Sequence, residues 1–166
     1  MAQFLVIPSP VGELAVRMEQ SALTGLFLRH QRYAPALPWD TLPRETDEPL
    51  LLGAKAWLQE YFAGRRLPVT LPLEPPGTAF QQAVWALLRE IPYGATVTYG
   101  DLARQISSSP RAVGGAVGRN PISILIPCHR VVGAGGALTG YAGGLTAKRF
   151  LLGLERGERE KEICST

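Results

Sequence analysis

The sequence predicts a mixed α/β (α+β) protein. A small N-terminal antiparallel sheet subdomain with one helix is followed by a mainly helical, winged-helix-like half built on a helix-turn-helix. Three observations predict this. Short apolar stretches separated by turns fill the chain up to Leu28. A helical apolar stripe follows a proline-rich gap. From Gly77 onward the pattern becomes one of short helices broken by Pro, Ser and Gly.

Each element has its own signal. Phe4 to Ile7 and Leu14 to Arg17 read as strands around the turn Pro8-Ser9-Pro10-Val11-Gly12, and Leu23 to Leu28 as a third strand. Tyr33 to Pro49 carries four prolines and no period, so it reads as loop. Glu48 to Phe62 places Leu51, Leu52, Ala54, Trp57, Leu58, Tyr61 and Phe62 at helical spacing, and Gly64 stops the run. Leu67 to Pro76 is proline-rich and extended, a connection between two subdomains. Thr78 is an N-cap for a helix from Phe80 to Ile91, with Phe80, Val84, Trp85, Leu87 and Leu88 inward. Thr96 to Tyr99 is extended, and Asp101 to Ile106 is a short helix. Ser109 and Pro110 suit the N-cap and first position of a helix over Arg111 to Arg119. Ile122 to Ile126 reads as an apolar strand, Gly133 to Gly144 as a glycine-rich loop, and Ala147 to Glu155 as a closing helix. The expected domains are 1–76 and 77–157, with 158–166 a flexible tail.

Composition narrows the function. The chain has 166 residues, 46% hydrophobic and 19% charged, enough to bury a core. Two cysteines, Cys128 and Cys164, cannot build a disulfide framework. Neither a signal peptide nor a long apolar run is visible, so a cytoplasmic protein without membrane contact is expected. The two histidines, His30 and His129, lack paired ligand spacing with the cysteines, so no metal is expected. Neither GxGxxG nor GxxxxGK[ST] occurs, so no nucleotide cofactor is expected. The net charge of +3 is unevenly placed: residues 77–157 carry 8 basic and 3 acidic side chains, a net of +5, and the segments on either side are each net −1. That asymmetry fits a polyanionic partner, or an ordinary solvated surface.

Two features point to chemistry. The helix Arg111-Ala-Val-Gly-Gly-Ala-Val-Gly-Arg119 contains three glycines, each weakening it by about 1 kcal/mol relative to Ala. Close helix packing or close approach of a ligand backbone would explain the choice. Cys128 follows an apolar run and a proline and precedes His129 and Arg130. A lone cysteine is usually a small buried hydrophobe. A nucleophilic thiol needs a base and a group to orient that base. His129 is the imidazole at hand, and Glu155 the carboxylate best placed to orient it.

Ile126-Pro-Cys128-His129-Arg130-Val131, preceded by Asn120-Pro121 and followed by Gly140-Tyr141-Ala-Gly-Gly144, resembles the O6-alkylguanine-DNA alkyltransferases. Arg111 to Gly115 and the segments Ile91 to Gly94 and Tyr99-Gly100 match in order, and Ser9 to Gly12 and Glu60 to Gly64 extend the likeness more weakly. The resemblance implies direct-reversal DNA repair. A flipped O6-alkylguanine, with O4-alkylthymine as an open second substrate, passes its alkyl group irreversibly to Cys128 in one turnover. His129 would act as base, in the family through a water, with Glu155 orienting it. Arg111 would fill the vacated base stack, and the small residues Ala112, Val113, Gly114, Gly115 and Ala116 would let the helix sit close to the minor groove. Tyr99 would turn the 3′ phosphate and donate a proton toward guanine. Asn120 would be the hinge between recognition helix and active segment. Arg119, Asn120 and Arg130 are expected among the DNA-binding residues. Val131, Tyr141 and Ala142 would line the pocket, with Lys148 as polar support. The implied partner is double-stranded DNA carrying the lesion, met by a monomer, with cooperativity on DNA open. No cofactor is implied. The turn before Arg111 is shorter than the family pattern, and the zinc ligands of some relatives are absent. Rival readings are a non-catalytic alkyltransferase-like binder, in which Trp commonly replaces the nucleophile, a cysteine hydrolase, and a sequence-specific DNA-binding regulator.

Overall fold

The computed structural model describes residues 1–158; the expected flexible tail with Cys164 lies, from residue 159 on, outside the described residues. Strands β1 (Ala2–Ile7), β2 (Leu14–Glu19) and β3 (Ala22–Leu28) form an antiparallel meander in the order β1-β2-β3. Leu5 pairs with Val16 and Ile7 with Leu14. The register of β2 against β3 shifts between Arg17 and Met18, a bulge that re-aims the strand. Helix α1 (Pro49–Phe62) covers the sheet, with proline in its first turn and Glu48 accepting the Leu50 N–H as N-cap. Its buried face is Leu51, Ala54, Leu58 and Tyr61, while Leu52, expected inward, is exposed.

Helix α2 (Ala79–Leu88) begins with a capping box between Thr78 and Gln81. Val84, Trp85 and Leu88 face inward, and Phe80, also expected inward, is exposed at the first turn. A two-residue strand β4 (Val97–Thr98) leads straight into α3 (Tyr99–Gln105). Tyr99 is therefore helical rather than extended, because Thr98 caps the helix through a second capping box with Asp101. Ser109 caps α4 (Pro110–Gly118) by accepting the Ala112 N–H. Strand β5 (Val131–Val132) pairs in parallel with β4, and α5 (Leu145–Glu155) closes the fold.

The expected strand over Ile122 to Ile126 is not a strand. It is a set of turns with one bridge, Ile122 to Leu26. The Asn120 side chain explains the difference. Its amide donates to the carbonyl of Ile126 at 2.8 Å and its oxygen accepts the Ile122 N–H at 3.0 Å. The Ile126 N–H returns to the Ile122 carbonyl at 3.0 Å. Local bonds thus replace a ladder, and the apolar side chains bury as a compact knot.

The apolar core is continuous across both halves of the chain. Sheet residues such as Val16 and Leu26 join Leu58 and Tyr61 of α1, Trp85 of α2, Val113 of α4, and Ile126 and Cys128 in one cluster. Among the described residues no helix is long and apolar enough to cross a membrane.

Candidate active site

The Asn120-folded knot delivers Cys128 and His129 into the interior, on a single 3₁₀ turn over Cys128–Arg130. The thiol is buried, and burial pushes its pKa up, against hydrogen bonding from Asn120, the nearby Lys148 charge and Ser123. His129 is fully buried. Its Nε2 lies 2.6 Å from Glu155 Oε2, at the end of α5. A carboxylate there can only accept, so Nε2 carries the proton and Nδ1 presents the lone pair. Nδ1 is buried with no hydrogen-bond partner among the described residues. The imidazole is thus a base with one nitrogen committed and the other free to take a proton.

Burial alone would raise the Glu155 pKa. Hydrogen bonds and charge from His129 and Arg130 outweigh it and hold the carboxyl far below the usual range. Arg130 Nε reaches Oε1 at 2.7 Å and Nη2 reaches Oε2 at 3.0 Å, the two-pronged grip of guanidinium on carboxylate. Burial lowers the His129 pKa, and the Glu155 carboxylate pulls it partly back.

A cleft of about 490 Å³ opens beside this centre, with Tyr99, Arg111, Gly114, Gly115, Tyr141 and Ala142 among its walls. Tyr99 donates to the carbonyls of Gly140 (3.2 Å) and Thr139 (3.3 Å). Lys148 is buried beneath the same loop. Its ammonium donates to the carbonyls of Val131 (2.5 Å), Thr139 (3.0 Å) and Gly140 (3.4 Å), and burial lowers its pKa to about 8. Tyr141 sends its hydroxyl to a buried position, where burial and the Cys128 sulfur beside it push its pKa well up.

The structure joins His129 to Glu155, sets Cys128 beside His129 on the same 3₁₀ turn, and ties Asn120 to the segment that leads into that turn and to the Cys128 thiol. Several expected placements are corrected. Arg130 does not face outward for DNA; its guanidinium turns inward to Glu155 and the Ile91 carbonyl, because a buried carboxylate needs a counter-charge. Val113 and Ala116 lie on the buried side of α4, packed toward the core, and Asn120 is buried as well. Pro110, Arg111, Ala112, Gly114, Gly115, Gly118 and Arg119 reach the outer side of α4 and its end. Val131, expected to line the cleft, lies buried behind it, and Lys148 lies behind it as the expected polar support.

The glycines of α4 resolve one open question. A Cβ on Gly114, Gly115 or Gly118 would meet nothing closer than 3.8 Å. Packing inside the molecule therefore does not require them, and the bare strip they form faces outward. Sequence reasoning missed Tyr61, Ser123, Arg32 and Tyr33. The first two reach the centre only through tertiary contact, and the last two line the cleft from a loop without any periodic signal.

A buried cysteine next to a histidine–carboxylate pair, below a cleft walled by the second helix of a helix-turn-helix, defines the class of protein. The comparisons specify it further. Residues 4–75 match the ribonuclease-like domain and residues 79–157 the DNA binding domain of 6-O-methylguanine DNA methyltransferase. The chain belongs to this family. It is 47% identical to the methylated-DNA--protein-cysteine methyltransferase of Haemophilus influenzae, covering 90% of this chain and 83% of that one. It is 44% identical to the constitutive enzyme of that name from Bacillus subtilis, covering 94% and 96%. The crystal structure of Mycobacterium tuberculosis OGT in complex with DNA superposes with a TM-score of 0.87 at 40% identity over 99% of both chains.

Proposed function

We propose that the chain is a DNA repair enzyme that reverses O6-alkylation of guanine by moving the alkyl group onto Cys128. The observation that carries this reading is the buried His129–Glu155 pair with Cys128 next to it on one turn, beside a cleft whose outer wall is the bare face of α4. The thiol proton passes through a bridging water to His129 Nδ1, whose lone pair has no partner among the described residues. The sulfur attacks the alkyl carbon, an S–C bond forms and the C–O6 bond breaks. The electron pair returns to guanine, which takes up a proton from the Tyr99 side of the cleft. The imidazolium is stabilised by Glu155. A thioether has no acyl carbon for water to attack, so each molecule reacts once.

Double-stranded DNA is the partner, bound through Arg111, Arg119 and the small residues of α4, with the lesion base flipped into the cleft. Residues 77–157 carry docking and transfer, and 1–76 support the centre from behind. The protein acts as a monomer in the reducing cytoplasm, because an oxidised Cys128 accepts no alkyl group. The presence of Cys128 disfavours a purely lesion-binding role.

Mass spectrometry after incubation with O6-methylguanine DNA tests the proposal. One methyl gained per molecule, located at Cys128, supports it; many equivalents repaired per molecule would sink it. Cys128→Ser is expected to abolish transfer and keep DNA binding.

A further inference from the structure

We propose that Tyr61, on α1 of the N-terminal half, is a positioning residue of the transfer reaction: its hydroxyl fixes the Glu155 oxygen that orients His129 and sets how firmly that carboxylate holds the imidazole proton. The inference rests on the transfer reading above, and it gives the N-terminal half a part in the chemistry.

The geometry is specific. The Tyr61 hydroxyl lies 2.6 Å from Glu155 Oε2, and both side chains are buried. His129 Nε2 lies 2.6 Å from the same oxygen. A phenol beside a carboxylate in the interior keeps its proton, so Tyr61 donates. Oε2 therefore serves Tyr61, His129 and Arg130, while Oε1 takes Arg130 Nε at 2.7 Å and the Gly94 N–H at 3.4 Å. The Tyr61 ring is clamped as well. It stacks on Trp57 at 5.3 Å and meets Phe62 and Tyr93 edge-on. Packing alone asks for a ring at this position and not for a hydroxyl.

Each donor on Oε2 draws charge from it and so weakens its attraction for an imidazolium. The other groups that set the balance are known. His129 feels Glu155, Arg130 and Lys148, and Tyr93 sits near Glu155 with Arg66 and Arg130 over its ring. None of these takes the place of Tyr61 on the α1 side of Oε2.

The test is single-turnover transfer from O6-methylguanine DNA across pH, with DNA affinity measured in parallel. The acid limb of the rate profile reports the pH at which His129 becomes neutral. Tyr61→Phe keeps the ring and frees Oε2, so the limb is expected to move up by about half to one pH unit. The rate on the acid side should then fall about three- to tenfold with unchanged DNA affinity. Replacing Tyr61 by 3,5-difluorotyrosine preserves the fold and strengthens the donor, so the limb is expected to move down. A wild-type limb in the fluorinated protein overturns the proposal, whether or not the phenylalanine variant folds. So does a Tyr61→Phe protein that loses only thermal stability. Absence of transfer in the wild type would instead overturn the transfer reading itself.

Discussion

His129 has no charge at neutral pH yet sits fully buried against an ionised carboxylate. Its folded pKa lies below the ordinary value of 6.5, so the unfolded chain binds a proton first as pH falls. Stability from this residue is thus present above about pH 6.5 and is lost below it. Glu155 adds to the loss at lower pH, since its depressed pKa contributes stability above the ordinary value of 4.5 that disappears as pH falls further. Urea unfolding of the free protein is expected to show stability dropping between neutral pH and pH ~5. His129→Gln should flatten that drop; an equally steep drop would place its origin elsewhere. Lys148 offers a second residue-scale test. Its ammonium serves the carbonyls of Val131, Thr139 and Gly140. Lys148→Met leaves those acceptors unpaired and is expected to cost about 2 kcal/mol by denaturant titration, and to slow transfer by loosening the Thr139–Ala142 wall.

Helix α4 is held from the inside and bare on the outside. Trp85 of α2 donates its indole N–H to the Ala116 carbonyl at 2.8 Å, and Val113, Ala116 and Val117 bury against the core. With no atom of the molecule closer than 3.8 Å to a Cβ at these glycines, a longer side chain there is expected to project into whatever approaches the cleft. Gly115→Leu should leave the melting temperature equal or higher, since Leu favours helix over Gly by roughly 1 kcal/mol. DNA affinity by fluorescence anisotropy should fall at least about tenfold, the scale of one lost close contact. Unchanged affinity would remove α4 from the docking face. The elements themselves were largely legible in sequence, because each carries a local signal: Thr78, Ser109 and Gly64 mark ends through caps and a left-handed turn. The Ile122–Ile126 knot was not legible. An apolar β-branched run reads as strand unless one knows that Asn120 will satisfy its backbone and limit its pairing with β3 to a single bridge.

Charge is a property of the whole molecule, and the fold redistributes it. The excess positive charge between Gly77 and Gly157 includes Arg130, which Glu155 neutralises in the interior, and Arg104, which pairs with Asp101. The positive groups at the cleft are Arg32, Arg111 and Arg119, and Arg119 lies 4.2 Å from the Tyr33 ring centre. DNA binding is therefore expected to weaken with salt through few contacts. Arg111→Ala and Arg119→Ala should each lower the slope of log affinity against log salt by about one. A slope unchanged in both variants would place the phosphate contacts elsewhere.

The sequence by itself determined the two-part architecture, the helix-turn-helix and the family to which the chain belongs. Caps, apolar periods and the Ile126–Val131 segment are properties of neighbours along the chain. Only the tertiary structure decided which nitrogen of His129 is free, that Arg130 turns inward, and that Tyr61 shares an oxygen with the histidine 68 positions away in sequence. Those outcomes depend on which partner a buried carboxylate finds in a shared core. No local pattern encodes that choice, because the groups that compete for Glu155 come from three separate segments of the chain.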